Sequence, residues 1–334
     1  MKNAETIVSS YIRKRLAQQV LLLSTKIPDL KLRQFQTEVI KRIHQRLAAS
    51  RGGGVGWVDC GGGLPPARLP SSTYIIIHTT VIDAIKQKVG TDASCADIVT
   101  FAARHVADIL SGGKIFCTLP GGAHRHLSSA AAADANLPHP NFDFDQLRDN
   151  FDATSRGRNF TVEELVVLSG AHSIVVAHLS SYQDRLGGPD STPIDSDYQA
   201  ALNKTTPLAL LKSGQNPTVP NNARDGSDAF QKDAAYDPVA MGVNPKRGVL
   251  DNSYYHNNLV NKVLFKSDWV LRTDGFAASK LDEYKNNPAE WNSDFAAAMA
   301  KLSSLPAQGN KLEIRKNCRV YVIIKAYDLS ISIQ

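Results

Sequence analysis

Helical patterning that begins near residue 79 constrains the fold of this chain more than any other feature of its sequence. Apolar residues such as Ile98, Phe101 and Ala102 recur at three- and four-residue steps, which are typical of a helix with one buried face. Thr161 and Glu164 have the spacing of a capping box, in which each side chain accepts a hydrogen bond from the other residue's backbone amide. The pattern predicts a mainly α fold.

Further signals divide this region into separate helices. The glycines after Ser111 are expected to end one helix, and the pair Ser169-Gly170 is expected to end another. A late helix is predicted from an apolar stripe at helical spacing, formed by Trp291, Phe295, Met299 and Leu302. Residues 3–23 and 31–49 also carry helical patterns, whereas the glycine- and proline-rich residues 51–72 have the composition of a linker.

Positive charge is concentrated at the start of the chain. The formal net charge is +6, and residues 1–51 hold eleven Lys or Arg against three acidic residues. A nucleic-acid-binding module would add a recognition helix, stacking aromatic residues or a phosphate-binding loop, and the sequence pattern supplies none of these. We expect the charge to lie on solvated helix faces, with binding of acidic polysaccharide or nucleic acid as the alternative.

Length and hydropathy limit the class of protein. At 334 residues with 43% hydrophobic content, the chain is long enough to bury a large core. No apolar run is long enough to cross a bilayer, and the first residues lack the apolar segment of a secretory signal. These features predict one globular body that does not span a membrane.

Five segments, in order along the chain, are similar to the signature segments of plant secretory (class III) haem peroxidases. They are residues 94–104, 135–138, 168–174, 250–255 and 314–319. The resemblance implies a plant-type peroxidase fold, in which a bundle of helices encloses a haem pocket. It assigns residues 79–320 to the peroxidase domain, residues 1–78 to N-terminal helices and a linker that depart from the family, and residues 321–334 to a tail.

The resemblance identifies His172 as the axial ligand of haem iron and Asp268 as its carboxylate partner. In such a pair, one imidazole nitrogen binds iron and the other donates a hydrogen bond to the carboxylate. The resulting strongly donating ligand favours peroxidase chemistry over reversible oxygen binding. Haem b is therefore the expected cofactor.

The distal half of the family's site is not found in the sequence. Members of the family carry Arg-x-x-x-His on an early helix, where the histidine moves a peroxide proton and the arginine stabilises developing charge. The nearest match, residues 42–46, has Arg46 at the position of the base, and His44 and His78 lack the flanking residues of the motif. We therefore expect impaired turnover.

The resemblance also implies a proximal calcium site, with Ser173, Val249, Asp251 and Asp237 at matching positions. Such a site would surround Ca²⁺ with hard oxygen ligands. Ala240 stands where the family usually has a threonine, so the resemblance leaves the binding of calcium open.

Three further residues match family positions. Cys95 and Cys318 correspond to a disulfide that ties the core to the C-terminal segment, a long loop closure worth roughly 4–5 kcal/mol in the chain-entropy model. Pro138 corresponds to the residue whose carbonyl orients phenolic donors at the exposed haem edge; a loop-forming proline is the alternative.

Three functions follow as hypotheses. The first is a peroxidase that oxidises small phenolic donors with hydrogen peroxide in the response to oxidative stress, with impaired activity. By resemblance it would be a monomer that is secreted or located in the cell wall or vacuole. The second is a non-catalytic haem-binding relative, or the product of a decayed gene. The third is a basic polyanion-binding protein that uses the peroxidase body as a scaffold.

Overall fold

A computed structural model describes residues 6–10, 84–119, 137–153, 159–174, 176–223 and 249–305. Within these ranges the chain is mostly helical, which confirms the predicted mainly α class. The helices whose two ends both lie within these ranges are α1 (Cys95–Leu110), α2 (Phe144–Phe151), α3 (Val162–Ser169), α4 (Gln183–Gly187), α5 (Ser196–Thr205), α6 (Ala209–Lys212), α7 (Ser253–Leu259), α8 (Lys266–Trp269), α9 (Gly275–Asn286) and α10 (Pro288–Ser304). Short 3-10 helices span Gly170–Ser173, Leu179–Ser181 and Val270–Thr273.

Several predicted elements lie outside the described residues. These are most of the two N-terminal helices, the linker at residues 51–72 and the tail at residues 321–334. Residues 6–10 are helical, and Val8 is buried in the main core. None of the helices in the described ranges is long and apolar enough to cross a membrane.

The predicted helix boundaries are set by local hydrogen bonds. At the start of α3, Glu164 N donates to Thr161 Oγ1 over 3.1 Å, and Thr161 N donates to Glu164 Oε2 over 2.8 Å. The predicted capping box is therefore confirmed. Helix α1 ends at Leu110, and Gly112 and Gly113 follow with φ angles of 66° and 84°, a conformation that favours glycine.

The main core surrounds helix α3. Its residues Leu165, Val166, Val167 and Leu168 are all buried, so this turn of the helix is covered on every side. The predicted stripe on α10 is also buried: Trp291, Phe295, Met299 and Leu302. Burying one large apolar side chain contributes ~1.5–3 kcal/mol, so these contacts fix α3 and the turn that follows it.

A smaller core lies beside the main one. Strands β1 (Val176–His178) and β2 (Thr218–Pro220) pair in antiparallel orientation, with Ala177 opposite Val219. The helical patterning did not predict these strands, which are only three residues long. Leu264 and Phe265 belong to this core and lead directly into helix α8. The second core therefore determines where α8 begins.

Candidate functional site

The position of His172 depends on the end of helix α3. This helix ends at Ser169, and the chain continues as the 3-10 turn that contains His172. The predicted end of this helix at Ser169-Gly170 is therefore confirmed, and His172 lies in the tighter turn that follows it. A β-carbon on Gly170 would lie 2.7 Å from Trp291 Nε1 and 2.7 Å from Tyr255 Oη, so only glycine allows this close packing.

Asp268 reaches His172 from the short helix α8. The two residues are 96 positions apart in the sequence, yet Asp268 Oδ1 lies 2.8 Å from His172 Nδ1. The side chain of Asp268 is 4% exposed and that of His172 is 23% exposed. An ionised carboxylate only accepts hydrogen bonds, so Nδ1 is the donor. In a neutral imidazole with its proton on Nδ1, the lone pair lies on Nε2.

A further shell of side chains holds Asp268. Tyr254 Oη donates to Asp268 Oδ1 over 3.0 Å, and Asn258 Nδ2 donates to the Asp268 backbone carbonyl over 2.7 Å. Arg272 Nε donates to Asn258 Oδ1 over 2.9 Å. Asp268 Oδ2 is buried and has no hydrogen-bond partner among the described residues. The carboxylate is therefore fixed mainly through its Oδ1 atom.

Aromatic rings limit the rotation of the imidazole. The ring of Phe265 meets that of His172 edge-on, with centroids 5.3 Å apart and an interplanar angle of 70°. Tyr254 makes a similar contact, with centroids 6.1 Å apart and an angle of 69°. Together with the hydrogen bond to Asp268, these contacts define the orientation of the ring.

A buried cation lies within electrostatic reach of Asp268. Arg185 donates hydrogen bonds to the carbonyl oxygens of Val263 and Pro193. Burial lowers the pKa of Arg185, while the negative charges of Asp190 and Asp268 raise it. The positive charge of Arg185 therefore offsets part of the cost of burying the Asp268 carboxylate.

The region that contains His172 and Asp268 is similar to known proteins. The family model described as Peroxidase matches residues 74–287, which include both His172 and Asp268. Peroxidase 5 of Vitis vinifera is 35% identical over 234 residues, which cover 68% of this chain and 62% of that protein. The chain belongs to the plant secretory peroxidase family.

Other members of this peroxidase family show similar coverage. Peroxidase RIP1 of Medicago truncatula is 34% identical over 249 residues, which cover 72% of this chain and 67% of the relative. Peroxidase P7 of Brassica rapa subsp. rapa is 32% identical over 244 residues, covering 72% of this chain and 73% of the relative. The chain thus spans less than two thirds of the length of the Vitis vinifera relative, at 62%. The family implies haem, hydrogen peroxide and donor substrates.

The predicted calcium ligands are partly brought together in the structure. Ser173, Val249 and Asp251 are all buried, and Asp251 N donates to Ser173 Oγ over 3.4 Å. Asp237 lies outside the described residues. Within the described part of the chain, no three acidic, histidine or cysteine side chains cluster as a metal site. These residues supply fewer oxygen ligands than the six to eight that Ca²⁺ usually takes.

Pro138 lies in the loop that precedes α2, and its side chain is partly buried. The carbonyl of Pro140 in the same loop accepts a hydrogen bond of 2.9 Å from Ser267 N, next to Asp268 in sequence. The loop is therefore attached to the helix that carries Asp268. The structure assigns no contact that distinguishes a donor-binding role of Pro138 from that of a loop residue.

The cysteines are only partly described. Cys95 is disulfide-bonded, whereas Cys318 lies outside the described residues, so the predicted pair stays a prediction. Cys117 is buried with a free thiol, and burial raises its pKa to about 11. Leu179 is fully buried in the smaller core.

The sequence did not reveal the residues that surround the pair formed by His172 and Asp268, which we call the dyad. Tyr254, Asn258 and Phe265 contact His172 or Asp268, but they were not assigned a role in the site. Tyr254 lies within the matched segment 250–255, and that was the one signal that pointed to it. The predicted absence of the distal motif concerns residues 42–46, which lie outside the described ranges.

Proposed function

We propose that this chain binds haem b, with His172 Nε2 as the axial ligand of iron. The observation that carries the proposal is the partly buried hydrogen bond of 2.8 Å between His172 Nδ1 and Asp268 Oδ1. An imidazole whose second nitrogen donates to a carboxylate is a well-oriented and basic metal ligand. The donor set therefore fits an axial site for haem iron.

The described residues have distinct parts in this function. Asp268 holds the Nδ1 proton and fixes the tautomer, so that the lone pair on Nε2 is directed away from the carboxylate. Phe265 and Tyr254 keep the ring from turning about its χ2 bond. When bound, haem supplies the redox chemistry that peroxide oxidation requires.

We further propose oxidation of small phenolic donors by hydrogen peroxide, with reduced turnover. Donor specificity, the part of Pro138, secretion to the cell wall or vacuole and a monomeric state all rest on the family. Reduced turnover rests on the sequence, since Arg46 occupies the position of the distal base. Loss of a general base costs ~10²–10⁴ in rate.

The same observation favours a second candidate, a haem-binding relative without catalysis. Both candidates need the same dyad and differ only in what faces the other side of the haem. A calcium ion held by Ser173, the Val249 carbonyl and Asp251 remains a proposal, because Asp237 would have to complete the shell. Polyanion binding by residues 1–51 likewise stays a prediction.

Titration with haemin, followed by absorption spectroscopy, tests the proposal. The wild-type chain is expected to give a saturable spectrum of histidine-ligated haem, which His172→Ala abolishes. His178→Ala serves as the control, because His178 Nδ1 contacts the carbonyl of Asn216 and lies in strand β1. An identical spectrum in His172→Ala would refute the assignment.

Guaiacol oxidation by the reconstituted wild type then separates the two candidates. Slow but His172-dependent turnover supports the impaired peroxidase. A histidine-ligated spectrum without turnover supports the non-catalytic relative. Salt-sensitive binding to heparin that survives removal of haem would favour the polyanion hypothesis.

A further inference from the structure

The phenol of Tyr254 shares a hydrogen-bond acceptor with His172. Tyr254 lies in the first turn of α7, and its Oη atom is 3.0 Å from Asp268 Oδ1. The same oxygen lies 2.8 Å from His172 Nδ1. Because the other carboxylate oxygen, Oδ2, has no hydrogen-bond partner among the described residues, both donors draw on the electron density of one atom.

Tyr254 can only act as the donor in this contact. Its side chain is buried, and its hydroxyl is the donor to Asp268 Oδ1. An ionised carboxylate has no proton to return, so the direction of this hydrogen bond is fixed. Asn258 Nδ2 lies 3.4 Å from Tyr254 Oη and also bonds the Asp268 backbone, so the phenol and the carboxylate are held together.

We propose that Tyr254 is a positioning residue that weakens the pull of Asp268 on the Nδ1 proton of His172 and so raises the reduction potential of haem iron. The inference rests on the proposed function, in which His172 binds that iron. A hydrogen bond donated to a carboxylate withdraws charge from it and makes it a weaker acceptor. A weaker acceptor leaves the imidazole less anionic, and a less anionic axial ligand stabilises Fe(III) less relative to Fe(II).

Tyr254→Phe in the haem-reconstituted full chain tests the inference. Asp268 should then attract the Nδ1 proton more strongly, so the Fe(III)/Fe(II) equilibrium should shift towards Fe(III). A hydrogen bond to a charged group supports a shift of up to about tenfold, which is ~59 mV for a one-electron couple. Spectroelectrochemical titration of the haem measures this shift without reference to turnover.

Tyr255→Phe is the matched control. Tyr255 is the adjacent residue, is equally buried, and donates its hydroxyl to the carbonyl oxygens of Val166 at 3.0 Å and Val167 at 3.2 Å. Loss of this hydroxyl should lower the stability of the protein and leave the reduction potential of the haem unchanged. Repeating Tyr254→Phe in an Asp268→Asn background should produce no further shift, because the effect passes through the carboxylate.

The outcomes distinguish this inference from the proposed function. If wild-type protein binds haem through His172 but Tyr254→Phe leaves the potential unchanged, the inference alone fails. It also fails if Tyr255→Phe shifts the potential as much, or if the effect of Tyr254→Phe persists in the Asp268→Asn background. Should Tyr254→Phe not fold, Asn258→Ala must shift the potential in the same direction. Absence of His172-dependent haem binding would overturn both proposals.

Discussion

Gly170 is the position where a single methyl group should do most harm to the turn that carries His172. A β-carbon there would lie 2.7 Å from Trp291 Nε1, 2.9 Å from Trp291 Cε2 and 2.7 Å from Tyr255 Oη. Both neighbours are fully buried, so neither can move aside into solvent. Gly170→Ala must therefore displace the indole, the phenol or the turn itself.

The expected cost follows from these contacts. Overpacking a buried site costs ~1–3 kcal/mol. Trp291 Nε1 donates to the Val167 carbonyl over 3.2 Å and Tyr255 Oη to the Val166 carbonyl over 3.0 Å, and both bonds are strained by the same displacement. Each bond is worth ~0.5–1.5 kcal/mol. Together these terms amount to ~2–6 kcal/mol, so at ~2–4 °C per kcal/mol the melting temperature should fall by at least roughly 4 °C.

Thermal unfolding followed by circular dichroism measures this fall, and the chain provides its own control. Gly275 is the first residue of α9, and a β-carbon there would meet no atom within 4 Å. Gly275→Ala should leave the melting temperature unchanged or raise it slightly, since alanine favours helices. If Gly170→Ala has the same melting temperature as Gly275→Ala, the turn is not packed as described.

Two further predictions concern groups with raised pKa values. Burial raises the pKa of Cys117 to about 11, so at pH 8 iodoacetamide should label this thiol much more slowly in native than in urea-unfolded protein; equal rates would contradict its burial. Burial raises the pKa of Tyr182 to about 12, above its unfolded value near 10, so its contribution to stability is present below pH ~10 and lost as pH rises towards 12. The urea concentration at the unfolding midpoint, measured between pH 8 and 11, should fall less steeply with pH for Tyr182→Phe than for the wild type. Parallel pH dependences of the two proteins would refute this.

Local features of the fold were predictable because their causes lie within a few residues. The capping box joins Thr161 and Glu164, which are three positions apart, and its two hydrogen bonds are present. The stripe that includes Trp291 and Phe295 predicted a buried helical face, and α10 buries it. Such patterns depend on the helical repeat and not on the rest of the molecule.

Contacts between distant segments could not be derived in the same way. His172 and Asp268 were paired by their resemblance to family motifs, because nothing in helical periodicity relates residues 96 positions apart. The shared acceptor that joins Tyr254 to this pair depends on where α7 and α8 pack, which no local rule predicts. The contacts of Gly170 with Trp291 and Tyr255 likewise required coordinates.

The central claim is that Asp268 strengthens His172 as an axial ligand of haem iron. Resonance Raman spectroscopy of the ferrous, haem-reconstituted protein observes the iron–imidazole stretching vibration and so tests the claim directly. The vibration should be present in the wild type, absent in His172→Ala and shifted to lower frequency in Asp268→Asn, because a neutral amide is a weaker acceptor for the Nδ1 proton. An unchanged frequency in Asp268→Asn, or the same vibration in His172→Ala, would contradict it.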